Sequence, residues 1–208
     1  MKEIKFIDLC CGIGGFHQAL SNMGMECVLA SDIDKECRDN YELNYNLKPN
    51  DDLTKIDVKT IPQFDILCAG FPCQPFSKAG QQNGFDDDRG NIFFDISNII
   101  KFHNPKYIIL ENVRNLASHD EGNTWNIIKG KLNELNYNTY DKPVILNTLY
   151  FGVPQSRERV VILCKRKDLG ELPKLPSISK KNIKTTSLTD ILETECPQKY
   201  NINSKMKI

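Results

Sequence analysis

The sequence predicts an α/β fold with a mainly parallel β-sheet that is covered by helices on both faces. Short apolar segments that suit buried strands alternate along the chain with longer segments that suit helices. A chain of 208 residues with 40 % hydrophobic and 26 % charged residues is ordinary for a soluble domain with its own core. Most of the unusual residues directly follow a strand, and ligands bind at the carboxyl ends of the strands in such sheets. We therefore expect one site along a single edge of the sheet.

The expected strands and helices follow one another in a regular order. The strands are expected at residues 4–9, 26–31, 64–69, 106–111 and 159–164. The helices are expected at residues 15–23, 34–46, 91–103 and 123–135. Asp34 is expected to cap the second helix, because an aspartate side chain readily accepts a backbone N–H at a helix start.

The chain changes character after about residue 170. Residues 173–177, Pro-Lys-Leu-Pro-Ser, suit a linker, and a short helix capped by Ser187 is expected at 187–193. Basic residues also outnumber acidic ones after residue 164, although the net charge of the whole chain is zero. The sequence thus predicts a main domain over 1–170 and a linker or the start of another region over 171–208.

The composition predicts a cytoplasmic protein without a membrane partner. The apolar runs are too short to cross a bilayer, and no apolar signal region follows Met1. Four of the eight cysteines lie inside apolar strand-like runs, which suits reduced thiols; they are Cys10, Cys27, Cys68 and Cys164. No C-x-x-C pair is present and the three histidines are scattered, so no metal site is expected.

A glycine-rich turn directly follows the first expected strand. It covers residues 8–16, Asp-Leu-Cys-Cys-Gly-Ile-Gly-Gly-Phe. Glycines at this place let the backbone approach a ligand, although a tight strand-to-helix turn without a ligand is an equally simple alternative. Asp32 ends the second strand, where an acid commonly binds ribose hydroxyls. A helix cap is the alternative there.

Cys73 lies in the segment that follows the third expected strand. Residues 70–77 read Gly-Phe-Pro-Cys-Gln-Pro-Phe-Ser, and the two prolines restrict a turn that would present the thiol to the cleft. A cysteine becomes a strong nucleophile once its thiolate fraction rises. A buried structural cysteine is the alternative.

Two further polar blocks lie at strand ends. Glu111 closes the fourth strand. Burying an acid at the end of an apolar strand costs free energy, which favours a functional role for Glu111; a helix cap or an ion pair is the alternative. Arg157 and Arg159 precede or begin the last strand and share one side of an extended chain. They could hold a phosphate and a carbonyl, or they could form an ordinary solvated basic face.

These blocks, in this order, closely resemble the cytosine-5 DNA methyltransferases, especially bacterial restriction–modification enzymes of the HhaI type. The resemblance runs from about residue 4 to 170, and it includes the smaller blocks Asp-Leu-Thr at 52–54 and Arg-Gly-Asn-Ile-Phe-Phe-Asp at 89–95. Cys10 departs from the pattern, since the family usually has an aromatic residue there. The resemblance implies a Rossmann-like S-adenosylmethionine-dependent methyltransferase fold.

The resemblance also implies a role for each block. Cys73 would attack carbon 6 of a flipped-out cytosine in double-stranded DNA, Glu111 would hydrogen-bond the ring, Arg159 would contact the base carbonyl and Arg157 a phosphate or a loop. S-adenosylmethionine would be the methyl donor, with S-adenosylhomocysteine as product and no metal. The implied cofactor residues are Asp8, Cys10, Gly12, Ile13, Gly14, Gly15, Asp32, Ile33, Asp52, Leu53, Gly70 and Pro72.

Family members normally continue with a target-recognition domain and a helix that closes the cofactor side. Neither is expected within 171–208, so the resemblance implies that activity needs a further C-terminal part or a second chain that supplies it. Residues 77–90 are expected to form a loop that closes over DNA, with an ordinary surface loop as the alternative. Other possible functions are a non-catalytic subunit of a split methyltransferase and a tRNA cytosine-5 methyltransferase. The DNA target sequence is not encoded in these blocks, because base-specific contacts come from the recognition domain.

Overall fold

The computed structural model describes residues 3–72, 92–175 and 186–193. Within them the chain forms a seven-stranded sheet. The strands are β1 (Lys5–Leu9), β2 (Glu26–Ser31), β3 (Ile66–Gly70), β4 (Tyr107–Val113), β5 (Tyr137–Thr139), β6 (Val144–Asn147) and β7 (Glu158–Arg166). All five predicted strands are confirmed, and β5 and β6 are additional.

Four α-helices lie between the strands in the described part of the chain. They are α1 (Gly15–Ser21), α2 (Lys35–Tyr45), α3 (Ile92–His103) and α4 (Asn123–Glu134). Asp34 caps α2 as predicted, since its side chain accepts the Cys37 N–H at 3.0 Å. Across the three described stretches, no helix combines the length and the apolar character that crossing a membrane requires.

The strand order places the ends of four parallel strands at one edge. The order is β2-β1-β3-β4-β7-β5, with β6 also pairing with β7. β1 pairs in parallel with β2 and β3, and β3 pairs in parallel with β4, whereas β7 runs antiparallel to both β4 and β5. The predicted mainly parallel sheet is confirmed. The order also reverses beside β1, because the chain moves outward to β2 and then returns to β3 on the other side, and such a switch point opens a crevice for ligands.

The core lies on both faces of the sheet, which confirms the predicted helix layers. On one face Ile7 and Leu67 pack in a large cluster with Phe93 of α3 and Ile128 of α4, all fully buried. On the other face Phe6 and other buried residues pack against α1. Because β1 and β3 are covered on both sides, their ends are held rigidly, which suits strands that position a site.

The chain divides into two units. The described residues of the first unit are 3–146 and 158–175, and those of the second are 147–157 and 186–193. In the second unit, Ser187 and Asp190 form a capping box around a short 3₁₀ helix, so the predicted helix is confirmed but is shorter than 187–193. The predicted domain boundary at residue 170 stays a prediction.

Candidate functional site

A cavity of about 390 Å³ opens at the carboxyl edge of the parallel strands. The residues that line it are Cys10, Ser31, Asp32, Ile33, Asp52, Leu53, Gly70, Pro72 and Ile92. Cys10 follows β1, Ser31 ends β2 and Gly70 ends β3, so three neighbouring strands supply the walls. The predicted single site at this edge therefore corresponds to a real concavity.

Asp32 connects the glycine-rich turn to the end of β2. One carboxylate oxygen accepts the Gly12 N–H at 2.7 Å, and the other accepts the Asp34 N–H at 2.9 Å. A carboxylate has about four acceptor positions, so about two remain for a ligand. Asp32 can thus hold the turn and bind hydroxyl groups at the same time.

Asp52 supplies a second ionised carboxylate to the cavity wall. It caps a short 3₁₀ helix that begins at Leu53, and it accepts both the N–H and the hydroxyl of Thr54. These hydrogen bonds, together with the Lys55 ammonium at 3.1 Å, hold the pKa of Asp52 below its usual range. Leu53 itself is buried and gives the cavity an apolar wall. A ring that carries an amino group fits this combination.

Ser31 adds an unused hydrogen-bonding group to the same cavity. Its Oγ is buried and has no hydrogen-bond partner among the described residues. Buried polar groups are rarely left without a partner, so such an atom at a cavity wall suggests that a ligand or water completes its hydrogen bonding. One hydroxyl and two carboxylates, from Ser31, Asp32 and Asp52, suit the hydroxyl and amino groups of a nucleoside better than they suit a metal ion.

Glu111 and Arg159 form an ion pair at the end of β4. Arg159 Nε lies 2.8 Å from Glu111 Oε1, and both side chains are partly exposed. The antiparallel register places Arg159 opposite Val113, two residues beyond Glu111, which brings the two side chains together. Gly70 is the parallel partner of Glu111 in β3, and a Cβ there would lie 3.6 Å from Glu111 Oε2. The acid–base pair is therefore next to the cavity.

Asn112 fixes the segment that leaves β3. Its buried side-chain amide donates to the Phe71 carbonyl at 2.9 Å. Phe71 is buried, and Pro72 follows it at the cavity wall. The chain is thus held against β4 up to the residue before Cys73.

Asp8 lies in the core and not at the cavity. Its side chain is fully buried, and the Tyr41 hydroxyl donates to Asp8 Oδ2 at 3.4 Å. Burial and, to a smaller extent, the nearby Asp32 carboxylate raise the pKa of Asp8 to about 8, although hydrogen bonds with the His17 backbone and the Tyr41 hydroxyl lower it in part. The pKa values of Tyr41 and Cys27, which contact each other beside Asp8, are also raised by burial, so these groups stay neutral where Asp8 titrates.

This burial predicts that stability falls with rising pH through Asp8. Its carboxyl holds a proton in the folded protein up to about pH 8, whereas the unfolded chain releases it near 3.8. The contribution is fully present below 3.8 and is lost as pH rises toward 8, by up to about 1.4 kcal/mol per pH unit. Asp8→Asn should remove this slope, so that the variant gains stability relative to the parent chain as pH rises. Urea unfolding from pH 4 to 8 measures it, and a difference that does not change with pH would contradict the prediction.

The comparisons with known proteins agree with this geometry. The family model described as C-5 cytosine-specific DNA methylase matches residues 4–207. The chain belongs to this family. The resemblance stated from the sequence blocks is confirmed.

Individual members of the C-5 cytosine-specific DNA methylase family cover most of this chain. Type II methyltransferase M.HhaI of Haemophilus parahaemolyticus is 50 % identical over 170 residues, which is 82 % of this chain and 51 % of that protein. Type II methyltransferase M.HaeII of Haemophilus aegyptius is 45 % identical over 210 residues, which is 100 % of this chain and 64 % of that protein. The chain thus spans about half to two thirds of the length of these relatives.

Solved structures show the same fold. A crystal structure of a Spodoptera frugiperda DNMT2 mutant has a TM-score of 0.73 and 26 % identity, and the match covers 95 % of this chain and 62 % of that one. A putative DNA modification methyltransferase encoded within an Escherichia coli prophage has a TM-score of 0.72 and 20 % identity, which shows the fold alone. The predicted Rossmann-like methyltransferase fold is confirmed.

Seven of the predicted cofactor residues line the cavity. They are Cys10, Asp32, Ile33, Asp52, Leu53, Gly70 and Pro72. Five others lie in or before the turn and not among the lining residues; they are Asp8, Gly12, Ile13, Gly14 and Gly15. Ser31 and Ile92 line the cavity without having been predicted, since a serine before Asp32 and an isoleucine at a helix start carry no distinctive sequence signal.

The predicted catalytic residues fall into three groups in the structure: a pair in contact, a residue of the second unit, and a residue outside the described part of the chain. Glu111 and Arg159 are brought together, as described above. Arg157 belongs to the second unit, where its backbone N–H donates to Asn147 Oδ1 at 3.3 Å. Cys73 and the loop expected at 77–90 lie outside the described residues.

Proposed function

We propose that this chain is the catalytic, cofactor-binding part of a DNA (cytosine-5-)-methyltransferase of a restriction–modification system. The observation that carries the proposal is the position of Gly70. It lines the cavity, pairs in register with Glu111, and leads through Phe71 and Pro72 to Cys73. One strand end therefore connects a nucleoside-sized cavity, an acid–arginine pair and a cysteine in sequence.

S-adenosylmethionine would occupy the cavity and supply an activated methyl group bonded to a sulfonium sulfur. Asp32 would bind the ribose hydroxyls with its remaining acceptor positions. Asp52 would accept the exocyclic amine of adenine, between the apolar side chains of Ile33 and Leu53. The described residues at the cavity thus offer a partner for each polar part of the nucleoside.

The chemistry needs a nucleophile because carbon 5 of cytosine is itself a poor one. The Cys73 thiolate would form a bond to carbon 6, while Glu111, after taking up a proton from solvent, would accept a hydrogen bond from the amino group and give that proton to N3. The electron pair shifted to carbon 5 would then take the methyl group as its bond to the sulfonium sulfur breaks, which leaves S-adenosylhomocysteine. Loss of the carbon 5 proton to a base, departure of the Cys73 thiolate and return of the N3 proton to Glu111 would restore the aromatic ring. Arg159 would hold Glu111 and the base carbonyl, which is electrostatic stabilisation of the kind that dominates many active sites.

Duplex DNA is the favoured substrate in this proposal. A cytosine within a stacked duplex cannot expose carbon 6 to a thiol, so the base must be flipped into the site. The matched relatives are named as Type II methyltransferases, and the family is described as acting on DNA. A tRNA substrate would instead identify the RNA-modifying alternative.

Tritiated methyl transfer from S-adenosylmethionine tests the function. The purified chain is assayed on cytosine-containing duplex DNA and on tRNA, with and without a C-terminal recognition fragment of M.HaeII added in trans. We expect label in DNA, at carbon 5 of cytosine, when the recognition fragment is present, and none in tRNA. Duplex DNA whose cytosines are all 5-methylated serves as the control and should take up no label. Label in tRNA alone, or no label in any combination, would contradict the proposal.

A further inference from the structure

The turn between β1 and α1 is unusual in its backbone conformation. Three of its residues have positive φ, namely Cys10 at 51°, Gly12 at 53° and Gly14 at 93°. A non-glycine residue such as Cys10 rarely adopts this region without support from its surroundings. Gly14, at the start of α1, offers no side chain to cap the helix. The turn therefore depends on contacts from other elements.

Tyr45, the last residue of α2, contacts the turn at Gly14 in two ways. Its hydroxyl donates to the Gly14 carbonyl at 3.0 Å. Its ring also fills the space that a side chain at Gly14 would need, because a Cβ there would lie 2.2 Å from Tyr45 Cε2. The same ring thus holds the turn and excludes every residue but glycine at position 14.

The ring of Tyr45 is held in place by the neighbouring ring of His17. It stacks on His17 with the ring centroids 3.9 Å apart and the planes inclined by 15°. His17 Nδ1 lies 2.7 Å from the hydroxyl of Tyr41, which is fully buried. An aromatic ring that is stacked and anchored in this way has little freedom to move away from Gly14.

The turn is consequently anchored by side chains at two points among the described residues. Asp32 accepts the Gly12 N–H, and Tyr45 donates to the Gly14 carbonyl. Cys10 and Asp32 line the cavity, whereas Tyr45 does not. A change at Tyr45 can therefore reach the cavity through the turn without removing a residue that lines it.

We propose that Tyr45 is a positioning residue for cofactor binding, which acts by holding Gly14 and so the conformation of residues 10–14. The inference rests on the proposed function, because it assumes that the cavity binds S-adenosylmethionine or its product. Tyr45 does not touch the cofactor in this scheme. Removing the Tyr45 hydroxyl should weaken cofactor binding by about the free energy of its hydrogen bond with the Gly14 carbonyl.

The test compares two tyrosine-to-phenylalanine variants of the 208-residue chain. Tyr45→Phe keeps the ring, its stacking and the steric block at Gly14, and removes only the hydroxyl. Tyr137→Phe is the matched control, since the Tyr137 hydroxyl donates to the Pro105 carbonyl at 2.6 Å and β5 lies at the other end of the sheet order. Titration calorimetry with S-adenosylhomocysteine gives the dissociation constant, and urea unfolding gives the stability of each protein.

The two variants should separate positioning from general stability. We expect Tyr45→Phe to raise the dissociation constant about fivefold, as the loss of one net hydrogen bond implies. Tyr137→Phe should lower the urea midpoint and leave the dissociation constant within about twofold of the parent value. Equal binding by the parent chain and Tyr45→Phe would overturn this inference alone. A parent chain that does not bind S-adenosylhomocysteine would overturn the proposed cofactor and the inference with it.

Discussion

Replacing Cys73 by serine is expected to abolish methyl transfer and covalent trapping on DNA. A serine hydroxyl is essentially un-ionised at neutral pH, whereas a cysteine supplies a thiolate, so the rate should fall by a factor of about 10³ or more. DNA that contains 5-fluorocytosine provides the sharper measurement, because fluorine blocks the loss of a proton from carbon 5 and leaves the cysteine adduct in place. The parent chain, combined with the recognition fragment as in the methyl-transfer assay, should give a covalent complex with DNA that survives denaturing electrophoresis.

The matched control for this variant is Cys37→Ser. Cys37 lies on α2 and does not line the cavity, so its variant should trap DNA as well as the parent does. Trapping by Cys73→Ser would mean that another residue is the nucleophile. Loss of trapping in both variants would mean that the assay reports damage to the fold and not the chemistry.

Replacing Glu111 by glutamine is expected to lower the rate of methyl transfer about 100-fold or more. The amide keeps the size of the side chain but carries no proton that it can give to N3 of the ring, and removing one electrostatic partner typically has an effect of this order. Stability should change little, because both members of the Glu111–Arg159 pair are partly exposed and such pairs contribute about 1 kcal/mol or less. Single-turnover methyl transfer and urea unfolding together measure the two effects.

Glu158→Gln is the control for the Glu111 variant. Glu158 is the first residue of β7 and pairs with Arg114, the residue that directly follows β4. Its neutralisation should leave the rate within about threefold of the parent value, as expected for an exposed pair away from the chemistry. If both variants lost activity equally, a general change of charge at this edge would explain the result better than a role for Glu111.

The parallel half of the fold was predictable because its signals are local. Each of β1 to β4 contains an apolar run, and residues that favour turns or helix starts follow these strands, such as the Asp34 cap after β2. β5 and β6 are only three and four residues long, and they exist because they pair with β7. Pairing between distant segments leaves little trace in a short stretch of sequence, so these two strands were not predicted.

The candidate site was predictable to the extent that its residues end strands. Asp32, Gly70 and Glu111 follow or close apolar runs, and parallel pairing alone brings such positions to one edge. The contact of Glu111 with Arg159 depends on the antiparallel register between β4 and β7, which no local pattern indicates. The contact of Tyr45 with Gly14 could not be predicted from the sequence, because only the packing of α2 against the turn determines which ring lies there.

The reversed direction of β7 has a geometric consequence for how an active centre is assembled. A strand of nine residues is about 30 Å long, so its first and last residues lie on opposite sides of the molecule. Had β7 run parallel to β4 over the same paired stretch, Arg159 would lie opposite Tyr107, four residues or about 13 Å from Glu111. Because β7 enters from the cavity side, Arg159 arrives near the beginning of a strand, whereas Asp32, Gly70 and Glu111 lie at or near the ends of theirs. Residues separated by 48 positions thereby meet without any loop having to cross the sheet.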